Sequence, residues 1–333
     1  GSLFKDAITP GDAGDDEEPA GTRAKDNTEL VGTVGDFVAR LAKDDEFSGV
    51  VLIAQHGKPV FEKAYGHADR EKQIPNQMNT RFNIGSINKN FTALSVRQLA
   101  EAGKLSLSDP IKKFLPDYPN TQAAAKVTIQ HLLSMTSGIG DMFGERYDKT
   151  PKEKLRTLRD FLPLFADKPL EFEPGSKSRY SNGGYIVLGL IIEKVSGVDY
   201  YSYVRENIFK PAGMTDTESY EKNSAVPNRA LGYTREGGSL KNNYSTLPGR
   251  GSSAGGGYST AQDLLKYSEA LKGGKIAAGD PQKGIGIAGG APGLNGVLES
   301  NPQSGYVVVI LSNLDPPSAQ KVAKQIRSWL PRP

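Results

Sequence analysis

Ser86 and Lys89, in the run Phe82-Asn-Ile-Gly-Ser-Ile-Asn-Lys-Asn-Phe91, pair a hydroxyl with an amine three residues further on. Tyr180-Ser181-Asn182 follows, and Ala288-Gly289-Gly290 comes near the end. The set describes a serine nucleophile whose proton is moved by a lysine and a tyrosine rather than by a histidine. Residues three apart on a helix are neighbours, roughly 5–6 Å between Cβ atoms, so Lys89 can reach the Ser86 hydroxyl. A helix N-terminus adds partial positive charge and free N–H groups, which favour an oxyanion at Ser86 and disfavour an ammonium at Lys89. The lysine serves as base only if its pKa falls from about 10.4 toward neutrality. That drop of about 3 units costs about 4 kcal/mol of charging, and burial can impose it.

Spacing alone selects nothing. S-x-x-K starts at Ser2, Ser86, Ser219 and Ser318, and Y-x-N starts at Tyr118 as well as Tyr180. Ser2 lies in a polar stretch, Ser219 among turn residues, and Ser318 on an expected C-terminal helix whose apolar face (Val322, Ile326, Trp329) leaves Lys321 to solvent. Only Ser86 opens a long, largely apolar helix, with Ile87, Phe91, Leu94 and Leu99 near helical spacing before Gly103 stops it. For an arbitrary S-x-x-K, a serine cap followed by a surface lysine is the commoner arrangement. The second element shifts that balance. Glu173-Pro174-Gly175 sets a turn, Tyr180 to Gly184 is a short loop, and Tyr185 to Gly197 reads as a buried helix closed by glycine. Tyr180 and Asn182 are thus presented to a cleft just ahead of a rigid element. Taken alone they would be an ordinary loop tyrosine and an N-cap.

These runs, with Val127-Thr-Ile-Gln-His-Leu-Leu-Ser-Met-Thr-Ser-Gly138, Phe172 to Tyr185 and Gly189, resemble the class C β-lactamase and penicillin-binding-protein-like serine hydrolases. That superfamily also contains family VIII-type esterases and D-aminopeptidases. Pro211 to Thr217 and Ser252 to Leu264 are similar to the same family, so the resemblance covers about residues 30 to 330. S-x-x-K with relatives of S-D-N and K-T-G is the signature of such enzymes, in which the identity of the acylation base is disputed. The resemblance implies Ser86 as nucleophile, Lys89 as its partner, Tyr180 as proton shuttle to the leaving group and Asn182 as a substrate-orienting amide. It implies an oxyanion hole from the backbone N–H of Ser86 and one from the third-motif strand, placed at Gly290, with Gly289 and Gly290 allowing close approach to the acyl group.

Two departures bear on substrate. Relatives usually begin the third motif with Lys or His, and Ile287-Ala288 stand there instead, so no side chain at 287 can hold a substrate carboxylate. The usual His in Leu-Leu-Ser-x-Thr-Ser-Gly is replaced by Met135. Both argue against efficient β-lactamase or D,D-peptidase action and leave acyl transfer itself in place. Only 107 positions separate Tyr180 from Ile287, fewer than relatives suggest. The shortfall is expected around Lys275 to Lys283, which would remove a helix and strand walling the cleft.

Rival motifs fail on context. Gly251-Ser-Ser-Ala-Gly255 matches the G-x-S-x-G elbow with Ser253 as nucleophile, but that fold needs a His after the Ser. His56, His67 and His131 all precede it. Gly284-Ile-Gly-Ile-Ala-Gly289 matches G-x-G-x-x-G, but a dinucleotide site needs a helix to follow, and Gly290-Ala-Pro-Gly293 forbids one. With no cysteine and three scattered histidines, no ligand cluster at metal spacing exists, and neither metal nor cofactor is expected. Asp15 to Glu18 reads as a solvated acidic run. A net charge of +3 over 41 basic and 38 acidic residues gives no basic stripe for nucleic acid.

At 333 residues the chain can bury a substantial core. Its longest apolar runs, Val50 to Ala54 and Tyr306 to Leu311, are strand length, too short to span a membrane. The Gly1-Ser2 start resembles a cloning remnant, and a periplasmic or secreted setting is favoured if a signal peptide was removed. Residues 1–27 read as a flexible tail. Residues 28–333 read as one β-lactamase-like catalytic domain of α+β class. Its α/β part takes 28–67 and 276–333, and its helical part takes 68–275. The expected elements are a helix Glu29 to Lys43, a hairpin of Ser48 to Gln55 and Lys58 to Tyr65 about His56-Gly57, strands Gly284 to Gly289, Gly296 to Asn301 and Tyr306 to Ser312, and a helix Pro317 to Leu330. They form an antiparallel sheet built from both chain ends, flanked by the terminal helices, with the cleft between sheet and helical region.

The favoured function is a serine hydrolase cleaving a small-molecule ester or small amide through acyl-Ser86. A β-lactamase or D-amino-acid peptidase is the second reading. A non-catalytic binding protein on the same fold, motivated by Ile287 and Met135, is the third. The sequence leaves the oligomeric state open.

Overall fold

The computed structural model of the chain describes residues 21–276 and 283–333. Helix α1 (Asn27–Lys43) starts two residues ahead of expectation because Asp26 caps it, accepting from Glu29 N. Of the expected tail, residues 1–20 lie outside the described residues. Residues 21–26 lead into α1 with Ala24 buried and its N–H donating to the Trp329 carbonyl. Strands β1 (Gly49–Gln55) and β2 (Lys58–Tyr65) form the expected hairpin, where His56 and Gly57 both take the positive φ that a two-residue turn of this hand requires.

The chain then runs through the helical region. Its helix α2 (Asn88–Glu101) follows a single 3₁₀ turn at Gly85–Ile87. Helix α3 (Asn182–Ser196) is buried along most of its length and ends at Gly197 in the left-handed region, as the glycine stop implied. Helix α4 (Ala261–Lys272) leads to the connection at 275–283, and the expected shortening there falls on residues 277–282, outside the described residues.

Strands β3 (Gly286–Ala291), β4 (Leu294–Ser300) and β5 (Tyr306–Ser312) bring the chain back, and helix α5 (Ser318–Trp329) closes it. The five strands form one antiparallel sheet in the order β2-β1-β5-β4-β3. The α+β sheet from both chain ends is therefore as expected. Alternation along β1 explains why every residue from Gly49 to Ala54 is buried: Val51 and Ile53 join Leu30, Val34, Val322 and Ile326 beneath α1 and α5, while Val50, Leu52 and Ala54 join the core of the helical region. Strand β3 begins two residues later than expected and sits at the sheet edge. It is turned by Pro292-Gly293, with Gly293 at φ +81°.

Candidate active site

Ser86 stands in the 3₁₀ turn rather than in α2 itself. Asn83 Oδ1 accepts from Gly85 N at 2.9 Å, Gly85 takes φ +50°, and Ile87 N closes on Ile84 O at 3.1 Å. This tight entry lets the serine and the first turn of α2 face the same way. Ser86 and Lys89 are both buried, 1% and 4% exposed. Lys89 Nζ donates to Ser86 Oγ at 3.0 Å, to Asn182 Oδ1 at 2.7 Å and to the Ala254 carbonyl at 2.5 Å. Burial pushes its pKa down to about 7, and the negative charge of Asp141 opposes that fall.

Tyr180 comes from the loop before α3, pinned where Arg179 N donates to the Met135 carbonyl at 2.8 Å and Ser181 N to the Met135 sulfur at 3.4 Å. Ser181 is the N-cap, accepting from Gly184 N at 3.0 Å, which frees the neighbouring side chains. Tyr180 Oη and Ser86 Oγ are 2.6 Å apart, and burial raises the phenol's pKa so that it stays protonated. Asn182, the first residue of α3, is fully buried and places its amide nitrogen 3.1 Å from Asp141 Oδ2.

Strand β3 lies directly against the Ser86 turn. A Cβ added at Gly289 would fall 2.8 Å from Ser86 N and 2.7 Å from Ile84 O, and one added at Gly85 would fall 3.6 Å from Gly290 N. Asn295 Nδ2 holds the Gly289 carbonyl at 2.9 Å. Because the peptide is planar and trans, the Gly290 N–H points the opposite way. Ser86, Lys89, Tyr180, Asn182, Gly289 and Gly290 are therefore brought together. Ala288 enters only through its backbone, since its side chain packs beneath α1 and α5, whereas Ile287 packs on the helical-region side.

The rival elements are spent elsewhere. Ser253 is fully buried and donates to the Tyr185 carbonyl at 2.7 Å, and Asn120 of the other Y-x-N caps a short helix. Lys222 of another S-x-x-K is buried and donates to the carbonyls of Tyr244 and Leu247. No described helix is long and apolar enough to cross a membrane.

The Beta-lactamase family profile matches residues 34–329. The chain belongs to this family. It is 32% identical over 310 residues to "Putative penicillin-binding protein PbpX" of Bacillus subtilis (strain 168), covering 86% of this chain and 76% of that protein. It covers under half the length of several other curated relatives. The penicillin-binding protein from Bacillus halodurans has a similar structure, with TM-score 0.78 and 34% identity over 87% of this chain and 98% of that one. EstCE1, a hydrolase with promiscuous acyltransferase activity, shares the fold at TM-score 0.74 and 24% identity over 90% of this chain and 98% of that one. The protein is thus a serine hydrolase of the β-lactamase and penicillin-binding-protein-like family.

Three groups that contact this cluster escaped sequence reasoning: Asp141, the Ala254 carbonyl and the Met135 sulfur. Asp141 lies only three residues beyond the Thr-Ser-Gly138 run, and that was its one available signal. Met135 holds φ +61°, a backbone region in which His is enriched and a long apolar side chain is not. A small pocket opens beside Asn182 and Ala254, lined by Met142, Phe143, Phe161 and Leu247 together with Lys222.

Proposed function

We propose that this protein hydrolyses uncharged esters, and small amides more slowly, through a covalent acyl-Ser86 intermediate. The observation that carries the proposal is the buried amine of Lys89, with a pKa of about 7, in contact with Ser86. Neutral Lys89 takes the Ser86 proton as Oγ attacks the substrate carbonyl carbon. The oxyanion so formed is stabilised by the N–H groups of Ser86 and Gly290. As the C–O bond to the leaving group breaks, Tyr180 donates its phenolic proton to the departing oxygen and recovers one from the Lys89 ammonium. Water then attacks the acyl-Ser86 carbonyl, giving up a proton through the same pair, and Ser86 leaves as the hydroxyl. One ester and one water become one acid and one alcohol.

Ile287, which offers neither charge nor hydrogen bond, supports a substrate without the carboxylate of β-lactams. Incubation with p-nitrophenyl esters and a chromogenic cephalosporin tests the reading. Ester turnover with labelling of Ser86 by a fluorophosphonate is the expected result. Faster cephalosporin than ester hydrolysis would favour the β-lactamase reading, and absence of both turnover and labelling would leave only a binding role.

A further inference from the structure

We propose that Asp141 is a positioning residue of the acyl-transfer site, fixing the Asn182 amide against Lys89 and setting, by its charge, the pH at which Lys89 becomes a base. The inference rests on the reading of Ser86 and Lys89 given above. Asn182 bridges the two charged groups, with Oδ1 2.7 Å from Lys89 Nζ and Nδ2 3.1 Å from Asp141 Oδ2. Only one orientation of a planar amide satisfies both neighbours, because an ammonium needs an acceptor and a carboxylate needs a donor. The amide's remaining N–H then has a fixed direction.

Asp141 is well built for this. Its other oxygen accepts from Phe143 N at 3.3 Å, so the local backbone holds the carboxylate. Among the described residues, the groups facing Lys89 are Ser86 from the 3₁₀ turn, Tyr180, Asn182 and Tyr185 from the α3 segment, Asp141 from the loop after Gly138, and the uncharged Ala254 carbonyl. Both tyrosines are held protonated by burial. The nearby Glu171 is paired with Arg179 at 2.7 Å. Among the described residues Asp141 is the acidic group coupled to Lys89, opposing the effect of burial on the amine, while burial raises the carboxyl's own pKa against the donors of Asn182 and Phe143 and the charge of Lys89. A general base works best with a pKa near the operating pH, and a lysine left to burial alone would fall below it.

The test is the pH dependence of kcat/KM for an ester in wild type, D141N and D141A. D141N keeps an acceptor for Asn182 and removes the charge, so the acid limb should move to lower pH by roughly 0.5–1.5 units, the Coulomb effect expected across one bridging amide. Its plateau should fall less than that of D141A. D141A also releases Asn182, and its plateau should drop by roughly tenfold or more with KM changed much less. An unmoved or raised acid limb in folded D141N overturns the inference, even if both variants lose activity. D141S removes the same charge with a smaller side chain and replaces D141N should that variant not fold. Fluorophosphonate labelling of wild-type Ser86 separates the two levels: its absence sinks the proposed function, whereas labelling with an unmoved limb sinks only the role of Asp141.

Discussion

Lys89 Nζ sits 3.0 Å from Ser86 Oγ but closer to two pure acceptors, Asn182 Oδ1 at 2.7 Å and the Ala254 carbonyl at 2.5 Å. As an ammonium it has three hydrogens for three acceptors. As a neutral amine it keeps two hydrogens for Asn182 and Ala254, and its lone pair is left facing Ser86. Losing one proton therefore turns the serine from acceptor to donor without any heavy atom moving, which is the rearrangement a general base requires.

The first expectation is a pH–rate profile set by that switch. Ester kcat/KM in wild type should rise with pH through a midpoint at about 7, the value burial gives Lys89. Lys89→Met should remove that limb and lower the plateau by at least about 10²-fold. A midpoint near 10 would mean that Lys89 is solvated and that the buried arrangement does not describe the working enzyme.

The same pKa governs stability. Lys89 titrates near 7 when folded and near 10.5 when unfolded, so between these values the unfolded chain binds more protons and stability rises with pH on this residue's account. Lys89→Met lacks that dependence. The stability of wild type relative to Lys89→Met should consequently improve by about 4 kcal/mol between pH 7 and pH 10.5. Denaturant titrations of both proteins across that range measure it, and parallel curves would refute it.

The nucleophile assignment separates two serines. Ser86→Ala should abolish turnover and fluorophosphonate labelling. Ser253→Ala should cost about 1 kcal/mol of stability through its lost bond to Tyr185 O, with catalysis retained, because Ser253 is sealed in the core. Equal loss of turnover in folded Ser253→Ala would overturn the assignment.

What the sequence made legible follows range of interaction. Ser86 and Lys89 are joined by local geometry, and Tyr180 and Asn182 are fixed by a loop leading into a helix whose glycine stop can be read directly. The sheet from both chain ends was readable because β1 and β5 are unbroken apolar runs of strand length. Strand β3 was misplaced by two residues because Gly286-Ile-Ala-Gly-Gly-Ala291 carries no alternation to set its limits. Asp141 and the Ala254 carbonyl were invisible for a different reason: each reaches the site from a loop whose position depends on the packed fold. The family's usual histidine and Met135 hold the same place in the motif, but only coordinates reveal that Met135 serves it through its backbone and sulfur.

The closeness of β3 to the Ser86 turn gives a fourth test. A methyl at Gly289 would meet two backbone atoms, Ile84 O at 2.7 Å and Ser86 N at 2.8 Å, neither of which can yield as a side-chain end could. Gly289→Ala should push the strand off the turn and widen the gap between the N–H groups of Ser86 and Gly290. A loss of roughly 10²–10³-fold in kcat is expected, the usual cost of removing one oxyanion donor, with KM little changed. Unchanged kcat would show that the oxyanion is held elsewhere.

The last expectation comes from Ile287. It lies on the face of β3 that meets the helical region, where relatives place Lys or His, and it contributes only hydrocarbon. Position 287 therefore offers a carboxylate-bearing substrate no charge-assisted contact, which is worth about 1.5–3 kcal/mol. Uncharged esters should be turned over better than carboxylate-bearing β-lactams of similar size, by roughly 10–150-fold in kcat/KM. Ile287→Lys should narrow that gap by restoring the cation, and added salt should weaken the gain because the new contact is electrostatic and close to solvent. Steady-state kinetics of both proteins on both substrates at low and high salt decide the matter. Wild-type preference for the carboxylate β-lactam would place the anion's partner at another residue and make β-lactam hydrolysis the better account of the site.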